Sequence, residues 1–309
     1  MQNKSFDFVK NRKYFIIGYA AIILAGIIVF SIFGANLSID FKGGTTFSYS
    51  FTGDIKLDDA EKVIKDTLNK DATVTEASGY NSDSKKLVVT LVADESVSAD
   101  LQSKMLSALN SKFKDNEITI SDSNSVSPSV AGTFFLKCFV AVAIAAVLVI
   151  IYVGIRFRKI GGISAGVFAM LALVLDCLIA FCASIFLRLE LDSNFMSVIL
   201  TILGYSLNDT IVIYDRLREN TKMYPSMDFK DRVNASINQT LGRTVKTSLA
   251  TLLAILTVVI VAEIYCLTTL RSFAIPMAFG IVSGAVSSIT LSCPFWYAWQ
   301  HHKSKRKAA

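Results

Sequence analysis

Long stretches without charge alternate along the chain with short basic segments. Residues 14–39 carry no charge over 26 positions, and residues 272–302 carry none over 31 when histidine is counted as neutral. About 20 consecutive apolar residues cross a bilayer as a helix. The pattern therefore predicts six transmembrane helices, at about 14–34, 134–155, 161–187, 193–214, 243–262 and 273–298. The first lacks a small-residue cleavage signature, which indicates an uncleaved anchor rather than a signal peptide.

The polar region between the first two spans, residues 35–133, has the pattern of a small folded domain. Alternating positions predict strands at 45–51, 72–77, 86–92 and 117–121, with a turn at 79–84 between the middle two. Apolar residues at helical spacing predict amphipathic helices at 57–68 and 97–109. The order β-α-β-β-α-β is typical of the ferredoxin-like fold. The predicted fold class is an α-helical polytopic membrane protein with six transmembrane helices and one small extracytoplasmic α+β domain between helices 1 and 2.

Composition excludes several classes of protein. Of 309 residues 52% are hydrophobic and only 18% are charged, and the mean hydropathy is +0.50. These values exclude intrinsic disorder and disfavour a soluble enzyme. The net charge of +6 conceals a net −5 in region 35–133 and +11 in the rest. A nucleic-acid-binding protein would not divide its charge in this way, so no nucleic acid is expected as a partner.

The distribution of lysine and arginine predicts the orientation in the membrane. With the N-terminus in the cytoplasm, residues 1–13, the loops at 156–159 and 215–246, and the tail after residue 300 hold 18 basic residues on that side. Outside region 35–133, the opposite side holds three. This bias predicts cytoplasmic segments 1–13 and 299–309 around a bundle of helices 2–6 at 134–298.

The sequence gives no sign of a metal site, a cofactor or an enzymatic centre. The five cysteines, Cys138, Cys177, Cys182, Cys266 and Cys293, lie in or beside the spans without metal-ligand spacing, so we expect apolar space-filling thiols. His301 and His302 lie in the basic tail, where we expect them to be solvated. No phosphate-binding glycine motif and no Ser/His/Asp set is present.

Asp209 is the most informative charge within the predicted spans. The uncharged stretch 193–208 covers only about 24 Å as a helix, which is shorter than a ~30 Å hydrocarbon core. The span must therefore continue through Asp209. Tyr205, Ser206, Asn208 and Thr210 give Asp209 a polar surrounding. A structural carboxylate hydrogen-bonded to a neighbouring helix is the alternative to a functional role.

Arg243 and Asp176 are the other ionisable candidates. The uncharged stretch 247–262 is also short, so Arg243 enters the membrane or lies at its cytoplasmic edge, at a depth that permits an ion pair with Asp209. Asp176 lies near the middle of the third span. An acid and a base within a membrane suggest a proton or ion relay, because charges there are expensive. A positive-inside anchor remains open for Arg243, and a protonated, hydrogen-bonded acid for Asp176.

A glycine pair follows the first span. Asp40 and Phe41 precede Lys42, Gly43 and Gly44, and two adjacent glycines permit positive φ and a sharp redirection of the chain. We interpret this segment as the hinge to the predicted domain. Residues 127–129 (SPS) are the corresponding exit linker.

Four stretches resemble the SecF branch of the SecD/SecF family of protein-export membrane proteins. They are residues 40–44 (DFKGG), 156–158 (RFR), 204–220 (GYSLNDTIVIYDRLREN) and 236–244 (SINQTLGRT). The resemblance extends over essentially the whole chain. It implies that the family's transmembrane aspartate and arginine correspond to Asp209 and Arg243. Asp176 matches a family aspartate usually preceded by histidine, whereas this chain has Leu175.

The same resemblance implies a function and partners. It implies a bacterial inner-membrane protein that pairs with a SecD-like subunit and assists the SecYEG translocon in the surrounding lipid. Proton flow, or sodium flow, would be coupled to late movement of a translocating polypeptide. The alternative is a half-unit of a related small-molecule or lipid exporter, although such exporters usually have twice this length. A third possibility is a structural subunit without an ion path.

Overall fold

The computed structural model describes residues 6–68, 72–78, 85–91, 99–265 and 267–308. In chain order its elements are α1 (Phe8–Phe33), α2 (Ile39–Lys42), β1 (Gly44–Phe51), α3 (Leu57–Leu68), β2 (Ala72–Ser78), β3 (Lys85–Leu91), α4 (Ala99–Lys112), β4 (Thr119–Val126), α5 (Pro128–Arg156), a 3₁₀ turn (Arg158–Ile160), α6 (Gly162–Phe186), α7 (Ser193–Met223), α8 (Phe229–Ile264), α9 (Thr268–Ser287), a π-helical turn (Ser288–Ser292) and α10 (Cys293–Ala308).

Six helices are long and apolar enough to cross a membrane, in agreement with the predicted number of spans. They are α1, α5, α6, α7, α8 and the continuous helix formed by α9, the π-helical turn and α10. Few side chains of α1, α5 and α8 are buried, whereas α6, α7 and the last span bury a much larger share of theirs against the other helices. The centre of the bundle is therefore formed by α6, α7 and α9.

Several helices extend beyond the predicted spans. Helix α1 begins at Phe8 rather than at residue 14, and α8 begins at Phe229 rather than at residue 243. The side chains of Asp7 and Asp228 cap these starts by accepting hydrogen bonds from backbone amides. Hydropathy marks where a helix leaves the hydrocarbon, whereas capping groups mark where the helix itself ends.

The region 44–126, here called the small domain, contains a four-stranded antiparallel sheet in the order β2-β3-β1-β4. Its elements follow one another as β-α-β-β-α-β, and α3 has the predicted bounds. One buried cluster fills the interior, with Phe47, Tyr49 and Phe51 of β1 at its centre. The predicted turn at 79–84, the first residues of the predicted helix at 97–109 and the last residue of the predicted strand at 86–92 lie outside the described residues.

Strand β4 and the start of α5 differ from the prediction. The strand runs from Thr119 to Val126, although a strand was expected only at 117–121. Its residues are mostly exposed and polar, types that are depleted in strands, so pairing with β1 fixes it rather than propensity. Ser127 is the N-cap of α5 and Pro128 its first residue. The prediction of a linker at 127–129 is therefore wrong. These residues begin helix α5, because proline is favoured in the first turn of a helix.

Candidate functional site

Helix α7 carries a strip of polar side chains in its otherwise apolar middle. The Asp192 carboxylate caps the helix by accepting a hydrogen bond from the Phe195 amide at 3.2 Å. Asp209 and Thr210 follow Ser206 by three and four residues, so both lie on the same side of the helix as Ser206. All three are buried against neighbouring helices.

Asp176 of α6 lies at the centre of the bundle and is fully buried. Three hydroxyl groups donate hydrogen bonds to its carboxylate: Ser206 of α7 at 2.7 Å, and Ser283 and Ser287 of α9 at 2.6 and 2.9 Å. A buried carboxylate requires such donors, because an uncompensated charge is expensive in an apolar interior. Hydroxyls both donate and accept, so this serine cage can hold the charged carboxylate and also its protonated form.

Two glycines of α9 make the serine cage compact. A Cβ atom at Gly284 would lie 2.8 Å from both Cβ and Oγ of Ser206 and 3.5 Å from Oδ2 of Asp176. At Gly280 a Cβ atom would collide with Ile202 of α7. The absence of these side chains lets α9 approach α7 closely enough for serine to reach the carboxylate.

Asp209 faces α8 rather than the serine cage. Its side chain is 2% exposed and accepts a hydrogen bond from Ser248 at 3.1 Å. Arg243 and Asp209 do not form an ion pair within the described part of the chain. Five residues correspond to about 140° around a helix axis, so Ser248 faces α7 while Arg243 is exposed on the outer side of α8. The direct ion pair expected from the sequence is therefore not formed.

The predicted surroundings of Asp209 divide into two faces. The Tyr205 hydroxyl donates to Thr251 of α8 at 3.0 Å, and Thr210 donates to Ser288 in the π-helical turn at 3.0 Å. Asn208 instead lies on the exposed face of α7. Its position two residues after Ser206 turns it about 200° away from the serine cage. Asn208 is thus not part of the buried polar network that the other three residues join.

A ladder of hydroxyl side chains on α8 and on the last span was not anticipated from the sequence. Thr240, Thr244 and Ser248 are buried on the α7-facing side of α8 at intervals of four residues. Ser288 and Ser292 of the π-helical turn bond Thr210 and Tyr214 of α7, the latter pair at 3.0 Å. Helical periodicity of serine and threonine within the uncharged stretches was the available signal. Such π-turns are frequent at functional sites because they redirect side chains.

The predicted hinge is anchored to the ends of two spans. Gly43 and Gly44 have φ of 75° and 137°, and a Cβ atom at Gly44 would collide with the backbone oxygen of Leu91. Asp40 accepts a hydrogen bond from the Ser193 amide at the start of α7, at 3.2 Å. The Phe41 ring lies 5.7 Å from the ring of Phe134 on α5. The chain thus enters the small domain through two glycines directly after contacts with α5 and α7.

The described cysteines, Cys138, Cys177, Cys182 and Cys293, are free thiols, and Cys266 lies outside the described residues. Among the described residues no group of histidine, cysteine and carboxylate side chains has the arrangement of a metal site.

Comparison with protein families gives two matches. The model for the C-terminal region of the protein export membrane proteins SecD/SecF matches residues 104–302. The model for the SecD/SecF GG motif matches residues 28–55, which include the two hinge glycines. Together these matches include Asp176, Asp209 and Arg243.

Relatives and solved structures agree with these matches. The chain is 33% identical to the protein translocase subunit SecF of Alicyclobacillus acidocaldarius, covering 97% of this chain and 95% of that one. It is 31% identical to the protein translocase subunit SecDF of Bacillus subtilis, covering 99% of this chain and 40% of that one. The crystal structure of SecDF from Thermus thermophilus, described as a translocon-associated membrane protein, aligns with a TM-score of 0.80 at 29% identity, covering 97% of this chain and 39% of SecDF.

Proposed function

The chain belongs to the SecD/SecF family of protein export membrane proteins, and from this membership we propose that it couples ion flow across the membrane to protein export. Its broader role is that of an accessory, multi-pass membrane subunit of the bacterial Sec pathway. A SecD-like subunit is its partner, as the fused SecDF relatives indicate. The finer proposal is that proton flow, or sodium flow, drives late steps of translocation beside SecYEG.

Two buried carboxylates among hydroxyl donors carry this proposal. Asp176 and Asp209 lie on adjacent helices within the membrane-spanning segments. Asp176 accepts hydrogen bonds from serines of α7 and α9, and Asp209 accepts one from Ser248 of α8. A purely structural bundle would gain more from apolar side chains at these positions, because burying a carboxyl group costs free energy. We assign Asp209 and Asp176 as the relay acids, and Arg243 as the cation that a rotation of α8 would bring toward Asp209.

The hinge supports a mechanical output. Asp40 is bound to the start of α7, and Phe41 packs against α5, so movement of either helix is transmitted to Gly43 and Gly44. Glycines tolerate the changes of φ that a swinging domain requires. In this proposal a change of charge at Asp209 shifts α7 against α8, and the small domain pulls or releases the translocating polypeptide.

Topology and domain class form part of the proposal. The excess of lysine and arginine at the termini and in the 215–246 loop supports cytoplasmic termini in the inner membrane, with the small domain on the opposite side. The strand order β2-β3-β1-β4 with two helices supports a ferredoxin-like class. A membrane-impermeant thiol reagent should label Ser123→Cys in intact spheroplasts but His302→Cys only after lysis. Labelling in the reverse order would reject this topology.

Replacement of the relay charges tests the function. We expect Asp209→Asn and Arg243→Met to slow processing of secreted preproteins in pulse-chase experiments, with normal membrane levels of the protein. Glu219→Gln is the matched control, because it changes an exposed carboxylate on the same helix that, among the described residues, pairs with Arg216. Normal export combined with loss of drug or lipid efflux would instead support the exporter alternative. Silent relay variants would support a structural subunit.

A further inference from the structure

A cleft at one end of the bundle contains none of the proposed relay residues. It has a volume of about 950 Å³ and lies between the end of α5, the start of α6 and α10. Its walls are mainly apolar, with Ile151, Ile163 and Val167 among them. It opens at the end of the bundle that carries the basic loop at 156–159 and the basic tail.

Glycines allow the helices that line this cleft to approach each other closely. A Cβ atom at Gly162 would collide with the backbone of Gly154, so the two helices touch directly through their backbones. Gly161 has a φ of 109°, and a Cβ atom there would collide with the side-chain amide of Gln300. The glycines thus bring the end of α5, the start of α6 and Gln300 of α10 close together at the cleft.

Two cations, Arg158 and Lys303, lie at the mouth of the cleft. Arg158 and Lys303 line it together with Gln300, and neither cation forms an ion pair within the described ranges. Lys303 lies over the ring of Trp299, with its Nζ atom 4.9 Å from the ring centre. The neighbouring Arg156 differs, because it pairs with Asp215 at 3.3 Å. The positive charge of the mouth is thus available to an anion.

We propose that this cleft binds an anionic phospholipid, with the phosphate at Arg158, Lys303 and Gln300 and an acyl chain along Ile163 and Val167. Guanidinium, ammonium and amide donors match phosphate oxygens, and basic pockets between transmembrane helices bind anionic headgroups. A soluble anion would leave the apolar walls unfilled. An apolar partner helix would cover two cations without compensating their charge. The site is independent of the ion coupling proposed above.

Native mass spectrometry of the full purified chain tests the site. The probes are phosphatidylglycerol and phosphatidylcholine with identical acyl chains, and the readout is the apparent dissociation constant of the lipid adduct. We expect Arg158→Gln combined with Lys303→Gln to weaken phosphatidylglycerol binding about 30-fold. Each basic residue contributes ~1 kcal/mol to the binding of an anionic lipid, and about 1.4 kcal/mol corresponds to a tenfold change in the dissociation constant. Lys305→Gln combined with Arg306→Gln removes the same charge from the same helix outside the cleft, and should change binding less than about 3-fold.

A second variant separates the apolar walls from the charges. Ile163 is 72% exposed and lines the cleft, so Ile163→Trp obstructs the acyl-chain path without disturbing the buried bundle. We expect this variant to lose the phosphatidylglycerol adduct although both cations remain. Three results would overturn the site: equal binding of the two lipids by the unchanged chain, equal losses in the two double variants, or unchanged binding by Ile163→Trp. A photo-crosslinker at position 163 that captures protein instead of lipid would also overturn it.

Discussion

The small domain and the centre of the bundle differ in what they bury. In the small domain, Phe47, Phe51 and Leu87 pack into an apolar interior, and polar side chains cover the outside. Between α6, α7 and α9 the buried positions include Asp176 and Ser206, while apolar side chains cover the outside. Exposure of apolar groups to water is unfavourable at the surface of the small domain. At the surface of the bundle, lipid offers no hydrogen-bond partners to polar groups. The stability of the small domain therefore depends mainly on its buried apolar area. The packing of the bundle centre depends on hydrogen bonds that match its buried polar groups.

The largest expected effect comes from the apolar interior of the small domain. Phe47→Ala should lower its free energy of unfolding by about 3–5 kcal/mol, because the substitution leaves a cavity. Pulse proteolysis of the purified chain measures this change. Leu148→Ala removes an apolar side chain that is 60% exposed on α5 and should leave the stability nearly unchanged. Similar losses in the two variants would contradict the comparison.

A methyl group at the α7–α9 contact should have the next largest effect. Gly284→Ala places a Cβ atom 2.8 Å from Ser206, so overpacking should cost about 1–3 kcal/mol and separate the serine cage from Asp176. A lower melting temperature and slower preprotein processing are the expected results. Gly204→Ala on α7 has open space around it and serves as the control. Full activity of Gly284→Ala would show that close approach of α9 is not required.

Removal of one hydroxyl from the serine cage should have an effect of similar or smaller size. Ser283→Ala eliminates the 2.6 Å hydrogen bond to Asp176 and should destabilise the protein by about 1–3 kcal/mol. Thermal unfolding in detergent measures the change. Ser123→Ala on the exposed strand β4 is a matched loss of one hydroxyl and should have little effect. Equal melting temperatures would show that the cage does not stabilise the bundle.

The smallest expected effect on stability is that of removing the buried Tyr49 hydroxyl from the small domain. The Tyr49 hydroxyl is buried, and no partner for it occurs among the described residues. Tyr49→Phe should therefore leave the unfolding free energy unchanged or raise it by up to about 1 kcal/mol. A loss above that size would indicate a hydrogen bond to this hydroxyl.

The same tyrosine gives a pH dependence. Burial raises the pKa of Tyr49 to about 12 from its usual value of 10.0. The unfolded chain therefore loses this proton first as pH rises, so stability should be insensitive to Tyr49 below pH 10 and fall between about pH 10 and 12. The difference between the wild type and Tyr49→Phe, measured by denaturant unfolding across this range, isolates the contribution. Parallel profiles would contradict it.

The sequence predicted the spans and most of the small domain because periodicity and hydropathy are local properties. Helix α3 and strands β1, β2 and β3 follow clear patterns. The full length of strand β4 was not predicted, because pairing with β1 holds its polar residues in the sheet. The N-terminal part of α8 was not predicted, because this helix begins outside the predicted membrane boundary and hydropathy does not detect it there.

The sequence identified Asp176 and Asp209 as candidate acids inside the spans, but it did not identify their hydrogen-bond partners. Asp176 and Asp209 are conspicuous because charge is rare in apolar stretches. The choice of Ser248 rather than Arg243 as the contact of Asp209 depends on the rotation of α8, which no single stretch of sequence specifies. The donors to Asp176 come from α7 and α9, up to 111 positions away in the chain, so tertiary packing alone brings them together.

Ion flux during export tests the central claim most directly. Inverted membrane vesicles containing this chain, its SecD-like partner and SecYEG would be loaded with a secretory preprotein, and proton or sodium movement followed with an ion-sensitive dye. We predict a flux that accompanies late translocation in the wild type and in Glu219→Gln, and that is lost in Asp209→Asn. Undiminished flux and translocation in Asp209→Asn would contradict the assignment of Asp209 as a relay acid.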